Sequence, residues 1–412
     1  MAHSLFIVIL VIMLAEFLLE RILQYLNSTY WSDRLPDELR GIYDPEKYKL
    51  SQDYARVNQR LSTLSSTISF IAMLLMLLLG GFAWLDMLVR ALSGHPVIIA
   101  MLYFGTLVLA STLLSLPFSI YDTFVIEERF GFNKTTVRTF ILDLIKSTIL
   151  GALIGGGILA LFVYLYIAAG QYFWLFTWAA VSAFMLFMGM FYSNLIVPLF
   201  NKQKPLEAGP LRDAIEKFAS QTGFKLKNIY VIDGSKRSSK ANAYFTGLGA
   251  KKRIVLYDTL IREYTIPEIV SVLAHETGHY RKRHTTTGML ISVMQTGLML
   301  FILSLFINMP VLSEAIGARQ QSFHMGLTAF GLLYAPLSTG IGLVMNYISR
   351  RNEYAADRYA AEHYDAEALA SALKKLSVDN LSNMRPHPAY VFFYYSHPPL
   401  LKRLAALKRY FG

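Results

Sequence analysis

Seven apolar stretches punctuate the chain, near residues 5–19, 66–88, 96–117, 147–169, 172–199, 288–308 and 325–348. Each approaches or exceeds the roughly 20 helical residues that cross ~30 Å of hydrocarbon, so the pattern predicts a mainly α membrane protein with seven transmembrane helices. The first stretch is the weakest, being short and interrupted by Glu16. A secretory signal peptide is the competing reading. It lacks support, because there is no basic leading region or small-x-small cleavage site and the stretch ends in Glu20 and Arg21. A retained span is expected.

Between the spans the period changes. Residues 211–220 read as helix, then 229–232, 243–248 and 254–257 read as short strands separated by Gly, Ser, Asn and Lys. A helix should follow from Ile266, and residues 349–412 read as helices broken by Pro386, Pro388 and Pro398-Pro399. The expected organisation is spans one to five with their loops (1–199), a polar α+β segment (200–286), spans six and seven (287–348) and a C-terminal polar segment (349–412). No repeats or low-complexity tracts appear.

Composition supports the membrane reading: hydrophobic residues make up 54% and charged ones 16%, against roughly 25% charged in soluble domains. The net charge of +11 raises the question of a nucleic-acid partner, but the distribution answers it. Segments 20–63, 118–146, 200–284 and 348–412 hold 7, 4, 16 and 10 of the 39 Lys and Arg residues, leaving Arg90 and Arg319 on the other side. The basic residues trace a topology, with the N-terminus outside and the large polar segments and C-terminus cytoplasmic. No nucleic acid is expected. The absence of cysteine excludes disulfides and thiolate chemistry, so any metal must be held by His and carboxylate.

The candidate chemistry sits in His275-Glu276-Thr277-Gly278-His279. On a helix, residues four apart share one face, so both imidazoles can meet one metal ion. Glu276 is placed to take a proton from a water that zinc has acidified. Two solvated histidines on an amphipathic helix are the alternative. A catalytic zinc wants three protein ligands, and Glu353 is the natural third. It lies just past the seventh span, and the two spans after His279 run out and back, so their cytoplasmic ends are neighbours. Asp357, one turn on, can accept a hydrogen bond from a ligand imidazole. The alternative for Glu353 and Asp357 is a pair of solvated charges matched by Arg350 and Arg358.

These motifs together resemble the integral-membrane zinc proteases of the CAAX prenyl protease type 1 (Ste24) family, peptidase family M48. The resemblance covers nearly the whole chain. It includes Tyr121-Asp122-Thr123-Phe124-Val125-Ile126-Glu127-Glu128, Gly131-Phe132-Asn133-Lys134 and Pro198-Leu199-Phe200-Asn201-Lys202. It also includes Asp233-Gly234-Ser235-Lys236-Arg237-Ser238, Asn242-Ala243-Tyr244-Phe245, and Ser396-His397-Pro398-Pro399 with Arg403. It implies a water-filled chamber of seven tilted helices and a cytoplasmic gluzincin-like α+β domain. One Zn2+ per chain would be held by His275, His279 and Glu353. Asn242, Ala243 and Tyr244 would align an extended peptide by main-chain hydrogen bonds, though alone they read equally as an ordinary strand. His397 resembles an oxyanion donor, where by itself it reads as a loop histidine. Arg403 resembles a residue orienting the zinc-site carboxylates, where by itself it is a surface charge near Lys402. His284 is expected at the membrane interface, and His3, His95, His324, His363 and His387 as bystanders.

A transporter or channel is the rival class, supported by Glu16, Asp86, Asp122 and Asn194 near or within spans. A water-filled protease chamber accommodates them equally. A dead scaffold is disfavoured because Glu276 stands beside intact ligands. The resemblance implies prenylated C-terminal Cys-a-a-X peptides as substrates, but nothing in the sequence identifies a prenyl pocket. The C-terminal Lys408-Arg409-Tyr410-Phe411-Gly412 lacks a di-lysine retrieval signal, which favours a bacterial inner membrane over the endoplasmic reticulum. In a bacterium the substrates would instead be misfolded membrane proteins.

Overall fold

The computed structural model describes residues 1–223, 229–246 and 253–411. Along the chain run α1 (Ala2–Ser28), α2 (Pro45–Leu78), α3 (Gly81–Leu92), α4 (Pro96–Tyr121), α5 (Val137–Ala169), α6 (Phe173–Leu195) and α7 (Val197–Phe200). Then come β1 (Gln203–Pro205), α8 (Pro210–Gln221), β2 (Ile229–Ile232), β3 (Ala243–Thr246), β4 (Arg253–Tyr257), α9 (Asp258–Glu263) and α10 (Ile266–Arg281). The chain closes with α11 (His284–Phe306), α12 (Pro310–Glu314), α13 (Phe323–His363), α14 (Ala366–Asp379), α15 (Pro388–Tyr394) and α16 (Leu400–Leu407).

Among the described residues, 6 helical runs are long and apolar enough to cross a membrane. One of them, Val137–Phe200, contains both α5 and α6, which pack on each other across a tight turn at Gly170–Tyr172. Gly170 has φ +53°, a conformation that L side chains rarely adopt. The first span is part of the bundle, since α1 packs along α13 and against α2, α12 and α15.

The apolar stretch 66–88 is not one helix. Asp44 caps α2 by accepting from the backbone of Glu46 and Lys47, so the helix starts well before the apolar residues. It ends at Leu78, where Gly80 turns at φ +67°, and α3 starts anew, burying Phe82, Leu85, Asp86 and Val89. Hydropathy averages across such a break because both sides are apolar. The last span likewise exceeds its apolar window: α13 is 41 residues long and carries Glu353 and Asp357 without interruption.

The sheet runs β1-β2-β4-β3. The central pair β2–β4 is parallel, while β1 and β3 pair antiparallel at the edges. Strand β1 was not expected, because three residues ending in Pro205 carry no alternating pattern. Residues 247 and 248 of the expected second strand lie outside the described residues. The hydrophobic core under the sheet joins distant segments: Leu39 and Tyr48 from the first loop, Ile215 and Phe218 of α8, Leu256, Leu273 of α10, Leu369 of α14 and Leu404 of α16. A second core, within the bundle, includes Ile9, Phe82, Tyr103, Phe173, Leu300 and Met325.

Helix α10 is fixed at both ends. At its start Thr265 and Glu268 form a capping box with Pro267 in the first turn, as helix-start chemistry favours. Glu268 is buried and also accepts from Ser371 Oγ at 2.7 Å and Lys375 Nζ at 3.1 Å, which ties α10 to α14. Further along, Gly278 crosses α13. A Cβ there would lie 3.0 Å from Ala356 Cα and 3.0 Å from Tyr359 Cβ, tighter than ordinary contact, so glycine suits this approach best.

Two outcomes follow. Gly278→Ala should cost about 1–3 kcal/mol through overpacking, seen as a lower thermal midpoint of the detergent-purified protein. A parental midpoint would show that the crossing tolerates a methyl group. Burial pushes the Glu268 carboxyl up, but its hydrogen bonds from Ser371, Thr265 and Lys375 outweigh this and hold it below its ordinary value of 4.5. A depressed folded-state pKa stabilises above the unfolded value and is lost as pH falls through the folded one. Thermal midpoints measured from pH 6 down to about pH 3 should therefore fall more steeply in the parent than in Glu268→Gln. Parallel curves would remove Glu268 from the acid response.

Candidate active site

Helix α10 buries Ile269, Val270, Leu273 and Ala274 in the core under the sheet. The histidine-bearing part of the same helix meets α13. His275 is buried, while Glu276 and His279 are half-buried. Their Nε2 atoms lie 3.2 Å apart. Glu353 Oε1 is 3.1 Å from His279 Nε2, and Oε2 is 3.5 Å from His275 Nε2. One ligand atom from each residue falls within 4.8 Å of the others.

Two features test whether a cation fits. Glu353 Oε2 is buried and accepts no hydrogen bond. The two imidazoles also turn their Nε2 atoms toward this carboxylate, since the other nitrogen of each has a partner of its own. Two imidazoles and a carboxylate are a donor set suited to a catalytic zinc that keeps open positions.

The outer partners are specific. His275 Nδ1 is 2.9 Å from Asp357 Oδ1, which fixes the ring and leaves Nε2 free. Arg403, on α16, grips Asp357 with two bonds, Nη2 to Oδ1 at 2.6 Å and Nε to Oδ2 at 2.8 Å. Its Nη1 reaches 3.3 Å from Glu353 Oε2. Arg403 is thus a buried residue between the two carboxylates, and neither carboxylate pairs with Arg350 or Arg358 in the ion pairs observed. Burial disfavours the guanidinium charge, but Asp357 and then Glu353 more than offset this and hold its pKa above the ordinary value. Such a fork-to-carboxylate pair sets orientation as well as charge.

His284 was missed as a neighbour of the site. Its Nδ1 lies 3.1 Å from His279 Nδ1, so it supports the second imidazole as Asp357 supports the first. Nothing in helical spacing signals this, because Arg283 at φ +60° breaks the chain between α10 and α11. His324, read as a bystander, is buried against Asp86 with Nε2 2.5 Å from Oδ1, and Arg90 Nε donates to the same carboxylate at 2.8 Å. Asp86 therefore has a local partner, which removes it as a sign of a transport path.

A cavity of about 390 Å³ opens on the centre. Glu276, His279, Glu353 and His397 line it, together with Ile291 of α11 and Met345 of α13. His397 is 64% exposed and has Nε2 3.4 Å from Glu353 Oε1. Asn242, Ala243 and Tyr244 do not line this cavity. They begin edge strand β3, which packs against α10 and α6, with Asn242 exposed and its carbonyl accepting from Tyr257 N at 3.1 Å. Sequence reasoning did not foresee what holds the approach to this strand. Lys240 Nζ donates to Glu127 Oε2 at 2.8 Å and to Tyr54 Oη at 2.9 Å, and the loop after α4 pairs with it through Asn133 and Ser238.

Comparison with known proteins agrees with this architecture. Residues 205–410 match the family model of peptidase family M48, and residues 24–202 match that of the CAAX prenyl protease N-terminal region, described as five membrane helices. The CAAX prenyl protease 1 homolog of Arabidopsis thaliana is 36% identical over 403 residues, covering 94% of this chain and 95% of the relative. CAAX prenyl protease 1 of Saccharomyces cerevisiae is 36% identical over 425 residues, covering 96% and 93%. The crystal structure of S. mikatae Ste24p superposes with a TM-score of 0.93 at 34% identity, covering 98% of this chain and 99% of that one.

The role of Asp357 can be measured apart from the chemistry. Asp357→Asn keeps the volume and one acceptor but loses the charge that orients His275 and holds Arg403. Metal affinity should fall about 10–100-fold, read by competition with a chelator. Undiminished affinity would reduce Asp357 to a packing residue.

Proposed function

The chain belongs to peptidase family M48, as a multi-pass, membrane-embedded metalloprotease related to CAAX prenyl protease 1, and from that premise we propose how its site works. One zinc ion per chain is held by His275, His279 and Glu353. Bound there, zinc would supply Lewis acidity toward a peptide carbonyl and would acidify a water at the site. The Glu276 carboxylate accepts the proton of the attacking water and passes it to the leaving amine. His397 donates a hydrogen bond to the oxyanion that develops on the carbonyl oxygen. Asp357, Arg403 and His284 hold the ligands in place. The edge of β3 that carries no strand among the described residues, entered at Asn242-Ala243-Tyr244, aligns the substrate as an added strand. The observation that carries this reading is the meeting of Glu276, His279, Glu353 and His397 on one cavity of about 390 Å³.

Counting α5 and α6 separately gives seven spans, and the Lys and Arg distribution supports an outside N-terminus with the site in the cytoplasm. The cavity's contact with α11 and α13 supports a chamber that reaches into the bundle. For the substrate, the names of the relatives favour C-terminal processing of CAAX proteins over the misfolded-protein alternative.

Glu276→Gln should keep its zinc and its fold, because the amide is isosteric and lies outside the ligand set. It should lose about 10²–10⁴-fold in peptidase activity, since an amide cannot take the proton. Metal analysis beside cleavage of a farnesylated and an unmodified Cys-a-a-X peptide checks both points. Activity within a few-fold of the parent would mean that the chemistry lies elsewhere.

A further inference from the structure

One face of α13 carries Asn346, Arg350, Glu353 and Asp357, at helical spacings of four, three and four. The last two serve the metal centre. The first two point at backbone. Asn346 Nδ2 donates to the Phe393 carbonyl at 2.7 Å. Arg350 Nη1 donates to the Tyr395 carbonyl at 2.6 Å and approaches that of Val391 at 3.3 Å. Val391 and Phe393 lie in the last turns of α15 and Tyr395 is its cap. The Val391 carbonyl already accepts from Tyr395 N at 3.1 Å, while a helix end otherwise leaves its last C=O groups without partners and presents the negative end of its dipole. A cation and an amide placed there act as a C-terminal cap supplied by another helix.

His397 follows Tyr395 by two residues and is succeeded by Pro398-Pro399 and then α16. On that far side Arg403 is bonded to Asp357, on the same face of α13. The stretch 396–399 is therefore suspended between two anchors on one helix, with Glu353 between them. His397 itself has little to hold it: its side chain is 64% exposed and Nδ1 meets Ser396 Oγ at 3.0 Å. A side chain this open takes its place from its backbone.

We propose that Arg350, assisted by Asn346, is a positioning residue that sets His397 over the metal centre by capping α15. The proposal rests on the reading of His397 as the oxyanion donor. It accounts for Arg350, one turn before Glu353, being turned away from that carboxylate and onto carbonyls. It also gives α15 a task, since its anchored end is the last fixed point before the catalytic loop. Loss of this anchor displaces a transition-state contact, so it acts on kcat more than on KM. A shift of the order of 1 Å in a reacting group costs up to about 10²-fold.

The test is a double-mutant cycle on the full-length, zinc-loaded enzyme in detergent, with one model peptide. Arg350→Met should lower kcat about 10–10²-fold with KM within a few-fold and full zinc. Arg350→Lys should restore part of the loss, because it keeps the cation and a donor but on a shorter side chain without the planar guanidinium. In a His397→Ala background, Arg350→Met should add less than about 3-fold, since its effect passes through the missing side chain. Full multiplication of the two losses would overturn the proposal, as would loss of zinc from Arg350→Met. Parental kcat in Arg350→Met beside a crippled His397→Ala would sink the cap and leave the oxyanion role standing. Parental kcat in His397→Ala would sink the oxyanion role itself, and the proposal with it.

Discussion

Where α10 crosses α13, Gly278 lies so close to the backbone of Ala356 that an added Cβ would force the neighbour to give by a few tenths of an ångström. Everything in the site is referred to this contact. Glu276 and His279 flank the Thr277-Gly278 pair with His275 one position before Glu276, and Glu353 and Asp357 sit one turn apart flanking Ala356. Two helices pressed to backbone contact have their side chains beyond the crossing interleaved, and a carboxylate from one then falls between two imidazoles of the other. Were the helices held apart by a Cβ, the short Asp357 side chain would be the first to lose its partner, having less reach than Glu353. The crossing is thus a constraint on metal geometry as much as on packing.

Burial then decides the electrostatics. Glu353, Asp357 and Arg403 are all buried, and their side chains sum to one negative charge in a place where unpaired charge is expensive. With neutral imidazoles, Arg403 compensates only one carboxylate. Arg403 commits two bonds to Asp357 and makes a single longer approach to Glu353, so the residual charge rests on Glu353. That is where a cation is wanted, and the oxygen without a hydrogen bond is on that residue. The same asymmetry separates the duties of the two carboxylates: one is saturated by the protein, the other is left for a metal.

How much of this was legible in the sequence depended on how local each signal was. That His275, Glu276 and His279 lie together was readable because helical spacing alone puts them there. The start of α10 was readable from Thr265, Pro267 and Glu268, whose chemistry acts within one turn. Strand β2 was found residue for residue, since a β-branched run bounded by turn formers is also a local pattern. Glu353 needed a topological step, the return of a helical hairpin, yet that step uses only span count. By contrast the break at Gly80 was hidden inside an apolar window, and β1 was too short to show a period. His284 and Arg350 were hidden for a further reason. Each acts on a segment that the sequence places on the other side of a chain break or tens of residues away, and no residue type announces that. For Arg350 the sequence offered a partner only in the alternative reading, a carboxylate one turn along, because proximity in sequence is the only proximity a sequence displays.

Helix α13 makes the membrane and catalytic parts one mechanical unit. From His324, pinned to Asp86 at one end, to Glu353 there are 29 residues. At 1.5 Å per residue this is about 44 Å, comparable with a bilayer including its headgroups. The helix carries Pro336 on the way, which removes one backbone hydrogen bond without ending it. The core under the sheet is built in the same spirit, drawing Leu39 from the segment before α2 and Tyr48 from the start of α2 as well as residues of α8, α10, α14 and α16. A fragment holding only the polar segments would lack both the spans that bring Glu353 to His279 and part of its own hydrophobic core. The helix pair that brings His275, His279 and Glu353 together therefore owes its geometry to the membrane bundle, because α11 continues from α10 into the bundle and α13 is itself one of its long helices.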